Sequence, residues 1–254
     1  MGGWYGWRLV CVVALLALGC RVGLAQIGPR YVLELPAARH GGATPDGGSI
    51  ALAPDGRATI RCYGLTVALA GQDGWLGQAG RSGQAGQTGQ AGQTDPADLA
   101  VLPPGAVPVS GIPAGAARAV PLVYAQPPAT GPQAETERAT AGHPMRVWDT
   151  LYLRKGQARL RVTAMPGGPG MAATAGFMLE IGTFHATSRI YVSGTPLTAG
   201  ELAALPQRLP GAEWVLAPDG DGHPMVLLRR AGERALFVPV AAPGGRYPFA
   251  LVRR

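Results

Sequence analysis

Lysine is almost missing from this chain of 254 residues: of 22 basic residues, only Lys155 is a lysine. With 39 glycines, 24 prolines and much alanine, the arginine excess reads as the bias of GC-rich coding. A net charge of +7 therefore does not point to nucleic acid, and no nucleic-acid partner is expected. Cysteine is nearly as scarce, with three residues, Cys11, Cys20 and Cys62. Long apolar runs are missing too. The longest, residues 9–20, holds twelve residues, whereas a membrane-spanning helix needs about 20.

That run has the parts of a secretory signal. Arg8 precedes it, and small residues stand at Gly23 and Ala25, which predicts cleavage after Ala25 and a mature chain beginning at Gln26. The alternative is a bacterial lipoprotein signal ending at Cys20, in which Ala17 stands where leucine is usual; ordinary cleavage is preferred. Arg8 stands alone, so there is no twin-arginine signal. The chain reads as exported, whether periplasmic, cell-surface or secreted. Cleavage removes Cys11 and Cys20, and a single remaining thiol excludes a disulfide scaffold. Cys62 lies in a strand-like run with no histidine near it in sequence, and reads as a small core residue rather than a nucleophile.

The motifs of common chemistry are missing as well. There is no HExxH, CxxC, GxSxG or Walker-type loop. His40, His143, His185 and His223 lie at no metal-ligand spacing and read as loop histidines. Asp219-Gly-Asp-Gly222 resembles part of a calcium loop, but Arg230 stands where the bidentate glutamate belongs, so it reads as a turn. Glu34, Asp149, Glu180 and Glu213 are too scattered in sequence to name a carboxylate pair. No metal, cofactor or catalytic residue is expected.

What the chain does contain is short alternating runs punctuated by turns. Residues 31–35, 49–52, 58–63 and 65–69 predict strands, with Pro54-Asp-Gly56 as a turn, and argue for antiparallel or solenoidal β-structure. Residues 71–94 are eight consecutive Gly-X-Y triplets. Glycine at every third position is what a collagen triple helix requires at its axis. The tract resembles the collagen-like segments of bacterial secreted and surface proteins, a likeness confined to these residues. It implies a possible homotrimeric stem. With no proline at X or Y, its own composition equally fits a Gly/Gln linker. Residues 95–145 hold ten prolines and read as a connector, with 107–109 and 119–124 as possible edge strands.

The last segment, 146–254, reads as a small α+β unit. Gly156-Gln157 suits a type II′ hairpin turn with glycine first. Residues 177–181 and 189–192 predict a second hairpin. Thr198 and Glu201 form a capping box that opens a short helix ended by Pro206. Residues 213–217, 225–229 and 235–240 predict a meander.

The first hairpin carries the candidate site. Its turn fixes a register in which Leu151, Leu153, Leu160 and Val162 share one face and Tyr152, Arg154, Arg159 and Arg161 the other. Arg154 directly opposite Arg159 is unfavourable, so either both splay into solvent or meet an acidic neighbour such as Glu180, or they grip an envelope polyanion, with Tyr152 stacking on Arg161 or a ligand ring.

The expected architecture is mainly β with one short helix: signal 1–25, β-rich unit 26–70, Gly-X-Y tract 71–94, connector 95–145 and α+β unit 146–254. The expected function is a structural or adhesive envelope protein without catalysis. The alternatives are an envelope module binding polyanion or carbohydrate, and an extracytoplasmic hydrolase whose site no motif encodes.

Overall fold

A computed structural model describes residues 30–35, 47–53, 58–69, 97–104, 120–126, 142–167, 173–218, 226–231, 236–240 and 245–253. These form β1 (Arg30–Leu35), β2 (Gly47–Leu52), β3 (Ala58–Cys62), β4 (Leu65–Leu69), β5 (Leu99–Leu102), β6 (Leu122–Ala125), β7 (Gly142–Met145), β8 (Thr150–Lys155) and β9 (Ala158–Pro166). They continue with β10 (Thr174–Gly182), β11 (Ala186–Ser193), helix α1 (Ala199–Arg208), β12 (Trp214–Ala217), β13 (Val226–Ala231), β14 (Leu236–Pro239), β15 (Arg246–Ala250) and β16 (Val252–Arg253). The protein is mainly β with a single short helix among the described residues.

Two sheets account for all the strands. The first runs β1-β8-β9-β10-β11-β12-β13-β14, with β16 pairing β11; the second runs β15-β2-β3-β4-β5-β6-β7. Alternation in the sequence becomes burial on one face: Ala58, Ile60 and Cys62 point in from β3, and Ala158, Leu160, Val162 and Ala164 from β9. These rows join one apolar cluster that draws on both sheets, with Phe177 and Leu179 from β10. The result is a β-sandwich. Pairing crosses the segments expected to be separate units, because β1 lies beside β8 and β15 beside β2.

The hairpin β8–β9 has the expected register, Leu151 opposite Val162, Leu153 opposite Leu160 and Arg154 opposite Arg159. Gly156 takes a φ of 59°, the positive value its turn needs. The β3–β4 turn is tighter in its demands. Tyr63 and Gly64 both have positive φ, 48° and 74°, the pattern of a type I′ loop, which no Asn-Gly or Asp-Gly pair announces here.

Three features depart from the sequence expectations. Within residues 31–69, read as antiparallel or solenoidal, β2, β3 and β4 pair antiparallel, but β1 leaves them to lie parallel to β8; β4–β5, β5–β6, β6–β7 and β11–β12, whose pairing no local signal announced, are parallel as well. Parallel neighbours need crossovers of a dozen residues or more, and the Gly-X-Y tract falls within the one joining β4 to β5; the tract itself lies outside the described residues. Secondly, β6 sits between β5 and β7 instead of at an edge. Pro121 precedes the strand, so its missing N–H leaves the ladder intact. The other possible edge strand, 107–109, lies outside the described residues. Thirdly, Pro206 lies inside α1 and does not end it. In the last turn one missing donor is tolerated, and Leu205 and Leu209 go on to bury themselves on the outer face of the first sheet against Met178, Tyr191, Val215 and Leu228. The capping box is present as expected: the Glu201 amide donates to Thr198 Oγ1 at 3.2 Å, and the Thr198 amide donates to Glu201 Oε2 at 2.9 Å. The Thr198 amide, together with the Thr198 hydroxyl that donates to the same Oε2 at 2.8 Å, holds the Glu201 carboxyl below its ordinary range.

No described helix is long and apolar enough to cross a membrane.

Candidate functional site

Helix α1 covers only part of the first sheet's outer face. Among the described residues nothing covers the part formed by β1, β8 and β9, and two rows of side chains cross it. In the first, Glu34 of β1 lies beside Arg154 of β8, which faces Arg159 of β9. In the second, Val32 lies beside Tyr152, then Arg161, Glu180 and Arg189. Strand alternation puts all of these on one side, because their neighbours Leu151, Leu153, Leu160 and Val162 fill the core.

In the second row both arginines share one acidic partner. Glu180 pairs with both Arg161 and Arg189, and its side chain is only 13% exposed. Glu180, one of the partners expected for Arg154 and Arg159, meets Arg161 and Arg189 instead, while Arg154 and Arg159 turn to solvent. Register decides this, since Glu180 lies directly opposite Arg161 and Arg189. The first row stays cationic. Arg154 and Arg159 are exposed, and among the described residues neither forms an ion pair.

Arg159 finds an aromatic ring. Its guanidinium lies 4.7 Å from the centroid of Phe184, a residue that is 71% exposed in the β10–β11 turn. Such a contact contributes about 0.5–1 kcal/mol at an exposed site, similar to the roughly 0.2–1 kcal/mol by which opposed like charges destabilise a sheet. His185 sits edge-on to the same ring, with centroids 5.2 Å apart. The expected stacking of Tyr152 on Arg161 is replaced by Arg161 pairing with Glu180. The sequence reading missed Phe184, although an aromatic residue inside a predicted hairpin turn was the available signal.

Two of the remaining candidates have structural duties. Asp149 is buried, and its Oδ2 accepts the Arg146 amide at 2.9 Å, closing the turn between β7 and β8. Glu213 accepts the Ser188 hydroxyl. Glu34 is exposed on β1. His143 is half-buried on β7, while His40, His223 and Asp219-Gly-Asp-Gly222 lie outside the described residues. Among the described residues no group of three His, Cys, Asp or Glu side chains could hold a metal ion.

Cys62 is 2% exposed on the core face of β3, and burial pushes its thiol up to about 12. Because the thiolate is the nucleophile, the folded protein should resist iodoacetamide at pH 8 and react fully once unfolded in guanidinium. Rapid native labelling would contradict the buried position. The same shift makes stability fall as pH rises from about 9 toward 12, since the unfolded thiol ionises first.

No protein-family model and no curated protein matches the chain. Among solved structures it is similar to CmlA, a diiron beta-hydroxylase from Streptomyces venezuelae, with a TM-score of 0.34 and 14% sequence identity, over 68% of this chain and 34% of that one. The chain thus spans about a third of the length of that protein.

Proposed function

We propose that this is an exported, non-catalytic adhesive protein of the bacterial envelope, which holds an anionic envelope polymer against the open outer face of its first sheet. The observation that carries this reading is the pair Arg154 and Arg159, directly opposed, exposed and flanked by Phe184. A polymer bearing carboxylates or phosphates relieves their mutual repulsion, and Phe184 offers an apolar surface to a sugar ring beside them. The neighbouring row adds less, because Arg161 and Arg189 are already engaged by Glu180. The fold suits this role: the site stands on strands whose opposite faces are locked in the core, so it needs no reordering to bind.

Binding of the mature chain to immobilised acidic polysaccharide tests the reading. Affinity should fall with salt, and an Arg154→Ala/Arg159→Ala double variant should lose roughly 5- to 30-fold, the effect of two exposed charge contacts of about 0.5–1 kcal/mol each. Phe184→Ala should lose less. Undiminished binding by a folded double variant would remove this face from consideration.

A further inference from the structure

Four strands end the two main ladders, β1 and β14 in the first sheet and β15 and β7 in the second. An edge strand presents unpaired N–H and C=O groups that another chain can use unless the edge is blocked. Proline blocks it directly, having no N–H to offer. β14, β15 and β7 each contain one, Pro239, Pro248 and Pro144.

The ladder bonds show which way each proline faces. The Val240 amide donates to the Leu227 carbonyl at 3.0 Å, so positions 238 and 240 turn toward β13 and position 239 turns out. The Leu52 amide donates to the Gly245 carbonyl at 2.9 Å, so positions 247 and 249 turn toward β2 and position 248 turns out. The Gln126 amide donates to the Met145 carbonyl at 2.9 Å, which aims residue 145 at β6 and residue 144 away. All three prolines thus occupy outward slots. Each deletes a donor from an open edge without breaking a ladder bond.

β1 is the exception. Its sequence, RYVLEL, contains no proline, and among the described residues it pairs on one side only, with β8. Val32 on this strand is 72% exposed. The geometry points to β1 as the edge through which two copies of this chain join, in antiparallel pairing about a two-fold axis at Val32. Val32 then faces its own counterpart, Arg30 of each copy falls opposite Glu34 of the other, and Tyr31 falls opposite Leu33. By register the pairs are apolar at the axis and opposite in charge to either side of it. No other antiparallel register of this strand on itself sets Arg30 against Glu34. Because directly opposed residues project to the same side, the register works whichever alternate residues turn their backbone groups outward.

The joined edges would make one continuous sheet, with the outer faces of both copies on the same side. The two Arg154 positions would lie roughly 20 Å apart, from strand spacing and rise. A polymer could engage both at once, which multiplies affinity without a new contact. The pairing itself is independent of that ligand. Six residues per side make a small interface, so a dissociation constant on the order of micromolar to tens of micromolar is expected.

Sedimentation of the mature full-length chain from about 1 to 500 µM brackets that range. A reversible monomer–dimer equilibrium is expected. Val32→Lys, which sets two ammonium groups across the axis, and Glu34→Arg, which sets like charges opposite Arg30, should each weaken it at least about tenfold. The thermal midpoint should hold for Val32→Lys, since Val32 is exposed; Glu34→Arg also sets an arginine beside Arg154, so its midpoint should drop slightly, and by the same amount when Arg30→Glu is added to it, which keeps that arginine. Combining Arg30→Glu with Glu34→Arg restores opposite charges and should recover the dimer, a rescue that general unfolding cannot imitate. A monomer throughout, a trimer, or a dimer indifferent to Glu34→Arg and to the charge exchange overturns the proposal.

Discussion

Replacing Glu180 with alanine is expected to destabilise the fold by about 2–3 kcal/mol and, in the same variant, to strengthen binding to acidic polysaccharide. Glu180 is the shared partner of Arg161 and Arg189, and its side chain is 13% exposed against 41% and 30% for theirs. Breaking a fully buried pair costs about 3–5 kcal/mol, because the partner is left charged and unsolvated; two partly wet guanidiniums reduce that figure. Arg161 has little slack, since its Nε is already buried without a hydrogen-bond partner. Urea unfolding should show a lower midpoint at unchanged slope. The gain in binding follows from the outer face, where two freed guanidiniums join Arg154 and Arg159. Loss of stability without a gain in binding would leave the ion pair intact as a structural device and count against the outer face as the binding site.

The sequence made the outer face legible only as far as local rules reach. A two-residue turn with glycine first determined the β8–β9 register, and with it the opposition of Arg154 and Arg159. The second hairpin, the capping box and the meander β12–β13–β14 followed from equally local signals, whereas β15 and β16 were not foreseen. Long-range pairing was not legible. Nothing in residues 31–35 shows that this strand runs parallel to β8, so Glu34 beside Arg154 was invisible. The β5 strand, buried at all four positions, was hidden inside the proline-rich segment. Its proline neighbours flank it rather than interrupt it, so composition averaged over the segment concealed a four-residue core strand.

Lys155 is the clearest case of a signal available but unread. It is in phase with Leu151 and Leu153, so alternation turns it toward the core face, an unusual place for a cation. In the structure it reaches across the sandwich to the second sheet. Its Nζ donates to Asp98 Oδ2 at 2.7 Å and to the Gly64 carbonyl at 2.6 Å, and the same Asp98 oxygen accepts the Thr66 amide at 2.9 Å. One ammonium thus ties β8 both to the β3–β4 turn and to the residue before β5.

Lys155→Met, which keeps the length and loses the charge, should cost about 2–3 kcal/mol. Hydrogen bonds to charged groups contribute about 1.5–3 kcal/mol each, and the two side chains are only 16% and 13% exposed. At about 2–4 °C per kcal/mol for a chain of this size, the thermal midpoint should fall by roughly 5–10 °C. In an Asp98→Asn background the same change should cost less than about 1 kcal/mol, because the charge it removes no longer has a charged partner. A loss under about 0.5 kcal/mol in the wild-type background would mean that the clamp adds nothing measurable, as with most exposed ion pairs. Lys155→Arg should not rescue it. The site asks for a compact donor with rotatable N–H groups on a slender stem, aimed at two oxygens from different elements, whereas guanidinium is a rigid planar fork. In a chain that otherwise uses arginine for every basic position, that demand accounts for a lysine here.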